Sequence, residues 1–184
     1  MVSIYFYDGP FAHGKAGYDI IKRAARLYCN EKGFDVNELN IEVDNKGKPF
    51  FVGESIYFSL SHTGDMWMCA FSEFPCGLDI QETGSRDIDR IAERMYTDNE
   101  KKYVQLWGSE GFYDVWVRKE ALAKYTGEGI FSETVSVVSQ THDLMREIAI
   151  DDTELTLYDI ELLPEIKCAL CSPDKEGWEV RELI

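Results

Sequence analysis

A short strand-like segment places two oxygen-bearing side chains together. Gly77 to Gln81 alternates apolar and polar residues, so Asp79 and Gln81 share one face of a strand while Leu78 and Ile80 share the other. Gly77 leaves room for a ligand to approach the backbone. An exposed strand face would show the same alternation, and for this segment taken alone that interpretation is favoured.

A helical segment adds a carboxylate and an ammonium group. Trp116, Glu120 and Lys124 lie in one i, i+4, i+8 row. They can form a solvated Glu-to-Lys pair worth only ~0.3–0.5 kcal/mol. Alternatively, Glu120 joins Asp79 on a hard cation such as Mg²⁺, and Lys124 neutralises a phosphate beside it.

A third segment, Phe58 to Gly64, carries a hydroxyl and an imidazole before a turn. Alternation sets Ser59 and Ser61 opposite Phe58 and Leu60, so Ser61 and the following His62 can reach the end of a sheet and bind phosphate oxygens. A turn histidine with a structural hydrogen bond is the alternative. A Ser-His nucleophile pair is less favoured, because adjacent strand residues point to opposite faces.

The elements that must position these residues follow from the hydrophobic pattern. Helices are predicted over Gly17 to Cys29, from Arg86 to Met95 with Ser85 as cap, from a capping box at Thr97 to Glu100, and from about Glu110 to Tyr125. Strands are predicted over Val2 to Tyr7, Leu39 to Val43, Ile56 to Ser61, Met66 to Ser72, Gly77 to Gln81, Thr134 to Val138, Leu155 to Leu162, Ile166 to Cys171 and Trp178 to Leu183. Asp143 to Glu154 is charged and predicts a surface loop.

This order predicts an α+β fold with two halves, each an antiparallel sheet packed with helices. Phe74-Pro75 interrupts the pattern, so we divide the chain into residues 1–74 and 75–184. The chain has 184 residues, which suits one compact unit.

Charge and cysteine content exclude several classes of protein. The 19 Lys and Arg face 34 Asp and Glu, for a formal net charge of −15, so nucleic acid and anionic membranes are unfavourable partners. No apolar run is long enough to span a bilayer, and no signal pattern precedes Asp8, so we expect a cytoplasmic protein. The five cysteines include a CxxC pair, Cys168 and Cys171, but no second pair or nearby His, which indicates core thiols.

Taken together, these motifs resemble the 4'-phosphopantetheinyl transferase superfamily, particularly its longer, surfactin-synthetase-activating type with two pseudo-equivalent halves. The resemblance covers roughly residues 45–135 in family order. Its blocks are Gly47-Lys48-Pro49, Phe58 to Gly64, Gly77 to Ile80, Arg86 with Ile91 to Arg94, and Trp116 to Lys124 before Gly127-Glu128-Gly129.

The resemblance implies transfer of the 4'-phosphopantetheine arm of coenzyme A to a serine of an acyl or peptidyl carrier protein, releasing adenosine 3',5'-bisphosphate. Coenzyme A would lie between the halves, with residues 1–74 on its binding side and 75–184 supplying the metal site and the catalytic helix. The implied roles are Mg²⁺ binding by Asp79 and Glu120, phosphate contacts by Ser61, His62 and Lys124, an adenine edge formed by the Gly47-Lys48 backbone, and a general base in Glu120. Asp79, Glu120 and Lys124 are thus the expected catalytic set.

Two departures from the family pattern matter. The family strand usually reads Asp-Ile-Glu, but here the third position is Gln81, whose amide oxygen can ligate Mg²⁺ without a negative charge. The short N-terminus lacks the lysines that often meet the 3'-phosphate of coenzyme A, so His13 and Lys15 are expected to substitute. They adjoin Lys22, Arg23 and Arg26, which an ordinary amphipathic helix would also explain.

Two rival functions stay open at this point. A noncatalytic adaptor that binds carrier proteins would account for Gln81, and a Mg²⁺-dependent phosphohydrolase could use the same acidic cluster. We expect a monomer that docks its carrier through a local basic or apolar patch, since the net charge of −15 gives no overall attraction to an acidic carrier.

Overall fold

Residues 1–36, 38–84, 87–130 and 135–184 are described by the structure of the chain, a computed structural model. Within them, ten strands and three α-helices form, and the predicted α+β class is confirmed. The strands are β1 (Val2–Asp8), β2 (Ile41–Val43), β3 (Pro49–Phe51), β4 (Tyr57–Thr63), β5 (Met66–Ser72), β6 (Gly77–Glu82), β7 (Glu147–Ile150), β8 (Thr153–Asp159), β9 (Ile166–Ser172) and β10 (Trp178–Glu182). The helices are α1 (Tyr18–Lys32), α2 (Ile88–Met95) and α3 (Asp98–Thr126), and a short 3-10 helix (Gly14–Gly17) precedes α1.

Two four-stranded sheets dominate the described part of the chain. The first has the order β10-β1-β5-β4 and the second the order β6-β9-β8-β7, while β2 and β3 form a small hairpin. Neighbouring strands are antiparallel except β1 and β10, which are parallel. The first sheet therefore takes an edge strand from the C-terminal end of the chain.

The core has three apolar layers, because strand β5 is buried on both faces. Trp67 and Phe71 pack toward α1, whereas Met68 and Ala70 pack toward the second sheet, where they meet Leu78 and its neighbours. The third layer lies between the second sheet and helices α2 and α3. Strand β4 is an edge strand of the first sheet and β6 an edge strand of the second, and the two sheets meet where these strands lie side by side.

Helix α3 joins two segments that the sequence predicts as separate helices. The capping box is confirmed: the Thr97 hydroxyl accepts from the Glu100 amide at 3.4 Å, and the Glu100 carboxylate accepts from the Thr97 amide at 2.8 Å. Gly108 has φ 61° and ψ −138°, a non-helical conformation that kinks the helix. Gly127, at φ 73°, ends it.

The predicted start of α2 is wrong. Ser85 and Arg86 lie outside the described residues, and the helix begins at Ile88. Asp87 is the cap instead, because its side chain accepts a hydrogen bond from the Arg90 amide at 3.3 Å.

Two further element predictions are wrong, and strand β3 was not predicted. Thr134 lies outside the described residues. The rest of its predicted strand forms only one bridge, from Val138 to Leu144. The Val137 amide donates its hydrogen bond to the Glu100 carboxylate instead of to a neighbouring strand. The predicted loop contains β7, where buried Ile148 packs into the core. Strand β3 was missed because Pro49 indicates a turn, although proline is tolerated as the first residue of a strand.

Gly77 serves helix packing rather than ligand access. A Cβ atom at this position would lie 1.9 Å from the backbone carbonyl oxygen of Ala121, so α3 fills the space that we predicted for a ligand. The missing side chain therefore lets the helix that carries Glu120 approach β6 closely.

Candidate active site

Three elements bring the candidate residues to one cavity of about 320 Å³. Strand β4 supplies Ser61 and His62 beside the β4–β5 turn, and β6 supplies Asp79 and Gln81. The part of α3 after Gly108 supplies Trp116, Glu120 and Lys124. The lining residues are Leu60, Ser61, His62, Asp79, Ile80, Gln81, Trp116, Glu120 and Lys124.

Asp79 is the most constrained carboxylate of the cavity and is only 6% exposed. Its Oδ1 atom accepts a hydrogen bond from the Ser61 hydroxyl at 2.8 Å and another from the Lys124 ammonium at 2.7 Å. A buried charge needs such partners, since its desolvation is otherwise costly. Asp79 therefore ties β4, β6 and α3 together.

Lys124 reaches across the cavity instead of along its own helix. Besides Asp79, its ammonium donates to the backbone carbonyl oxygen of Leu60 at 3.3 Å. An ammonium group has three N–H donors, so these two bonds leave one donor for a further acceptor in the cavity.

Glu120 faces the same cavity as Asp79. Burial raises the pKa of the Glu120 carboxyl, the nearby Asp79 carboxylate raises it further, and Lys124 acts in the opposite direction. Two carboxylates that share one cavity, one of them with a raised pKa, form a suitable environment for a divalent cation.

The donor set around the cavity fits Mg²⁺. Asp79 and Glu120 offer carboxylate oxygens, and Gln81, whose amide nitrogen donates to the Glu82 carbonyl at 3.1 Å, leaves its amide oxygen available as a donor atom. Within the described residues, no three His, Cys, Asp or Glu side chains form a metal cluster. Such a site would need substrate oxygens and water to complete the shell of the ion.

The two candidate histidines, His13 and His62, lie next to each other at the edge of this site. The ring centres of His13 and His62 lie 4.9 Å apart, and Phe11 packs 4.7 Å from the first and 5.4 Å from the second. Burial lowers the pKa of His62, and the neighbouring His13 and Lys124 lower it further, while Asp79 opposes them. Phe11 was missed because a lone aromatic residue before a turn carries no chemical signal.

The remaining candidate cations take different positions. Lys15 lies in the short 3-10 helix that follows His13 and is exposed to solvent. The Lys48 ammonium donates to the carbonyl oxygens of Cys76 at 3.3 Å and Tyr125 at 3.2 Å, and burial lowers its pKa. Lys48 thus joins the β2–β3 hairpin to the end of α3.

A second cavity of about 280 Å³ adjoins the first and shares Leu60, Glu120 and Lys124 with it. Its other lining residues come from the β2–β3 turn, strand β4 and the end of α3. They are Lys46, Gly47, Lys48, Pro49, Phe58, Ser59, Ala123, Gly127 and Gly129. The Gly47-Lys48 segment therefore borders this second cavity.

Comparison with known proteins assigns the chain to a family. Residues 75–171 match the family model described as 4'-phosphopantetheinyl transferase superfamily. The 4'-phosphopantetheinyl transferase gsp of Aneurinibacillus migulanus is 31% identical over 171 residues, which cover 84% of this chain and 71% of that protein. The chain belongs to the 4'-phosphopantetheinyl transferase superfamily. The family prediction is therefore confirmed.

Other members of the superfamily are also similar. The 4'-phosphopantetheinyl transferase Sfp of Bacillus subtilis is 27% identical over 177 residues, covering 91% of this chain and 77% of that protein. The transferase psf-1 of Bacillus pumilus is 28% identical over 157 residues, covering 81% of this chain and 67% of that protein. The likeness thus extends beyond the segment that the family model matches.

Two general features of the chain complete the description. Among the described helices, none is long and apolar enough to cross a membrane. All five cysteines are buried and free of disulfide bonds, as the sequence predicts for core thiols.

Proposed function

We propose that this chain transfers the 4'-phosphopantetheine arm of coenzyme A to a serine of an acyl or peptidyl carrier protein. The observation that carries this proposal is the convergence of Asp79, Glu120 and Lys124, from two elements, on one cavity beside Ser61 and His62. The names of the similar transferases support the same reaction.

The reaction exchanges the phosphoanhydride bond of the coenzyme A pyrophosphate for a phosphate ester bond to the carrier serine. The carrier serine oxygen forms a bond to the phosphorus that bears the pantetheine arm, and the bond from that phosphorus to the bridging pyrophosphate oxygen breaks. Adenosine 3',5'-bisphosphate leaves with the bridging oxygen, and the serine proton passes to a base.

Glu120 is the proposed base, directly or through one water molecule. The raised pKa of its carboxyl, caused by burial and by Asp79, makes the carboxylate a stronger proton acceptor than an exposed glutamate. This property suits it to a serine hydroxyl, whose own pKa lies far above neutral.

Lys124 is the proposed electrostatic partner of the phosphate that is transferred. Its ammonium is fixed by Asp79 and by the Leu60 carbonyl, so its remaining N–H donor needs little reorganisation to meet an oxygen on which charge develops. Ser61 and His62 are proposed as further phosphate contacts. In the structure the Ser61 hydroxyl donates to Asp79, so it must rotate to donate to a phosphate.

Mg²⁺ is the proposed cofactor, held by Asp79 and Glu120 with Gln81 as a third ligand. When bound there, the cation supplies charge neutralisation at the pyrophosphate. It would also offset the repulsion between the two carboxylates, so the proton affinity proposed for Glu120 would then rest on the burial of its carboxyl, the larger cause of its raised pKa.

Coenzyme A is proposed to occupy both cavities, with its adenine along the Gly47-Lys48 backbone and its 3'-phosphate near His13, Lys15 and His62. Residues 1–74 would then form the coenzyme A-binding side, and residues 75–184 would carry the metal site and the catalytic helix. We also propose that the enzyme acts as a monomer in the cytoplasm, where its free thiols would stay reduced.

A purified carrier protein, incubated with coenzyme A, Mg²⁺ and this chain, tests the proposed function. A gain of mass at the carrier serine is the expected result. Binding of the carrier without a gain of mass would instead indicate an adaptor, and cleavage of coenzyme A without transfer would indicate a phosphohydrolase.

A further inference from the structure

Strands β4 and β6 lie side by side where the two sheets meet, and hydroxyl groups join them. In the part of the chain that the structure describes, β4 pairs with β5 and β6 pairs with β9, and no backbone ladder links β4 to β6. Three hydroxyls of β4 instead accept hydrogen bonds from β6 amides. The bonds run from Leu78 to Ser59 at 2.9 Å, from Ile80 to Ser61 at 3.2 Å and from Glu82 to Thr63 at 3.1 Å.

The regular spacing explains how the two strands stay in register. Ser59, Ser61 and Thr63 are two residues apart and share a face of β4, and the amides they bind are also two residues apart on β6. Each bond spans 19 positions of the chain. A slip of either strand by one residue would break all three bonds together.

Two of these bonds also satisfy amides that are shielded from water. Leu78 and Ile80 are buried in the core between the sheets. A buried amide without an acceptor is strongly unfavourable. The hydroxyls of β4 therefore provide the acceptors that the carbonyl groups of a neighbouring strand provide elsewhere in a sheet.

The three hydrogen bonds that Ser59, Ser61 and Thr63 accept from β6, here called the seam, bear directly on the candidate active site. Asp79 lies between the bonded amides of Leu78 and Ile80, and its carboxylate accepts from Ser61, the middle hydroxyl of the three. Ser59 and Thr63 flank that position on either side. The place of Asp79 relative to β4 and Lys124 is therefore set by bonds on both sides of it.

We propose that Ser59 and Thr63 are positioning residues for the transfer reaction: they hold β6 in register against β4 and thereby keep Asp79 in place. This inference rests on the proposed function. It assigns both residues an indirect role, through the β6 backbone; because Ser59 also borders the second cavity, a lost contact with coenzyme A there would instead show mainly as a higher KM.

Ser59→Ala, Thr63→Val and the double variant test the proposal. Valine keeps the shape of threonine, and Thr63 is partly exposed, so that single variant is the safer one if the others fold poorly. Ser172→Ala is the matched control, because the buried Ser172 hydroxyl lies on β9 and accepts from the Asp174 amide at 3.1 Å rather than from β6. Ser59→Thr restores a hydroxyl and tests for rescue.

The two readouts are amide hydrogen exchange by NMR and steady-state transfer kinetics. For the double variant we expect exchange at the Leu78 and Glu82 amides to be at least about tenfold faster, with distant core amides unchanged. We expect kcat to fall by about tenfold at saturating coenzyme A and carrier, with a smaller change in KM. Ser172→Ala should keep wild-type values at these amides and in kcat, and Ser59→Thr should recover most of both.

Several outcomes would overturn the proposal. Faster exchange at the seam with unchanged kcat would mean that the seam does not position the site. A lower kcat with unchanged exchange would mean that the hydroxyls act otherwise, and uniformly faster exchange would mean a general loss of stability. A wild-type chain without transfer activity would refute the proposed function, whereas unchanged seam exchange in the variants would refute the hydroxyl seam itself.

Discussion

Lys124 holds its ammonium nitrogen 2.7 Å from the Asp79 carboxylate, although the two residues are 45 positions apart and stand on different elements. This bond attaches the end of α3 that carries Glu120 and Lys124 to β6 in the cavity. Lys124 thus pairs across the cleft with Asp79, while its charge also acts to lower the pKa of Glu120 on its own helix.

Lys124→Ala should lower turnover by about a hundredfold at saturating coenzyme A, because it removes a fixed donor at the phosphate where charge develops. Steady-state transfer kinetics measure the effect. Lys102→Ala is the control, since Lys102 is an exposed lysine on the same helix that bonds Gln105. Equal turnover in the wild type and Lys124→Ala would reduce Lys124 to a structural partner of Asp79.

Gln81→Glu should lower the Mg²⁺ concentration that gives half-maximal activity by several-fold, because a third charge joins Asp79 and Glu120 around the ion. Without metal the added charge repels Asp79, so the variant should be equally or less stable. A Mg²⁺ titration of transfer activity and thermal unfolding in EDTA separate the two effects. A half-saturation that stays constant or rises would remove Gln81 from the metal site.

The buried pair of Glu100 and Lys119 should dominate the stability of the second half of the chain. Both side chains are fully buried, and the Glu100 carboxylate accepts from Lys119 at 3.3 Å and from the Val137 amide at 3.0 Å. Glu100→Gln and Lys119→Met should each reduce the free energy of unfolding by about 3–5 kcal/mol, since each removes one member of this buried ion pair.

Urea unfolding measures these stabilities, and the double variant should lose clearly less than the sum of the single losses. Lys101→Met is the control, because Lys101 pairs with Glu93 at the surface and should lose less than about 1 kcal/mol. Additive losses would show that Glu100 and Lys119 do not act as a pair.

His13 and Lys15 should together determine the preference for coenzyme A over 3'-dephospho-coenzyme A, because His13 lies beside His62 at the edge of the site and Lys15 follows it in the short 3-10 helix. Replacing both by alanine should reduce the preference, measured as the ratio of the two kcat/KM values, by about tenfold or more. Lys32→Ala, on the last turn of α1, provides a control. A preference equal to that of the wild type would assign the 3'-phosphate to other residues.

Much of the frame of the site could be predicted because its signals are local. The strands predicted over residues 56–61 and 77–81 are present as β4 and β6, and the spacing of Trp116, Glu120 and Lys124 predicts their common side of α3. Their convergence on one cavity followed from the family resemblance. Spacing alone does not indicate which elements will touch.

The features that escaped prediction depend on long-range contacts. Strand β10 pairs with β1 across almost the whole chain, and Gly77 is required by the Ala121 carbonyl rather than by a ligand. The hydroxyls of Ser59 and Thr63 resemble ordinary polar positions on an exposed strand face. Only the placement of β6 beside β4 reveals their partners.

The central claim concerns Asp79 and Glu120, and the intact mass of a carrier protein tests it most directly. After incubation with coenzyme A and Mg²⁺, the carrier should gain one phosphopantetheine group with the wild-type chain. It should gain none with Asp79→Asn or Glu120→Gln over the same time, while both variants keep the wild-type circular dichroism spectrum. Modification of the carrier by Glu120→Gln at the wild-type rate, or no gain of mass with the wild-type chain, would contradict the claim.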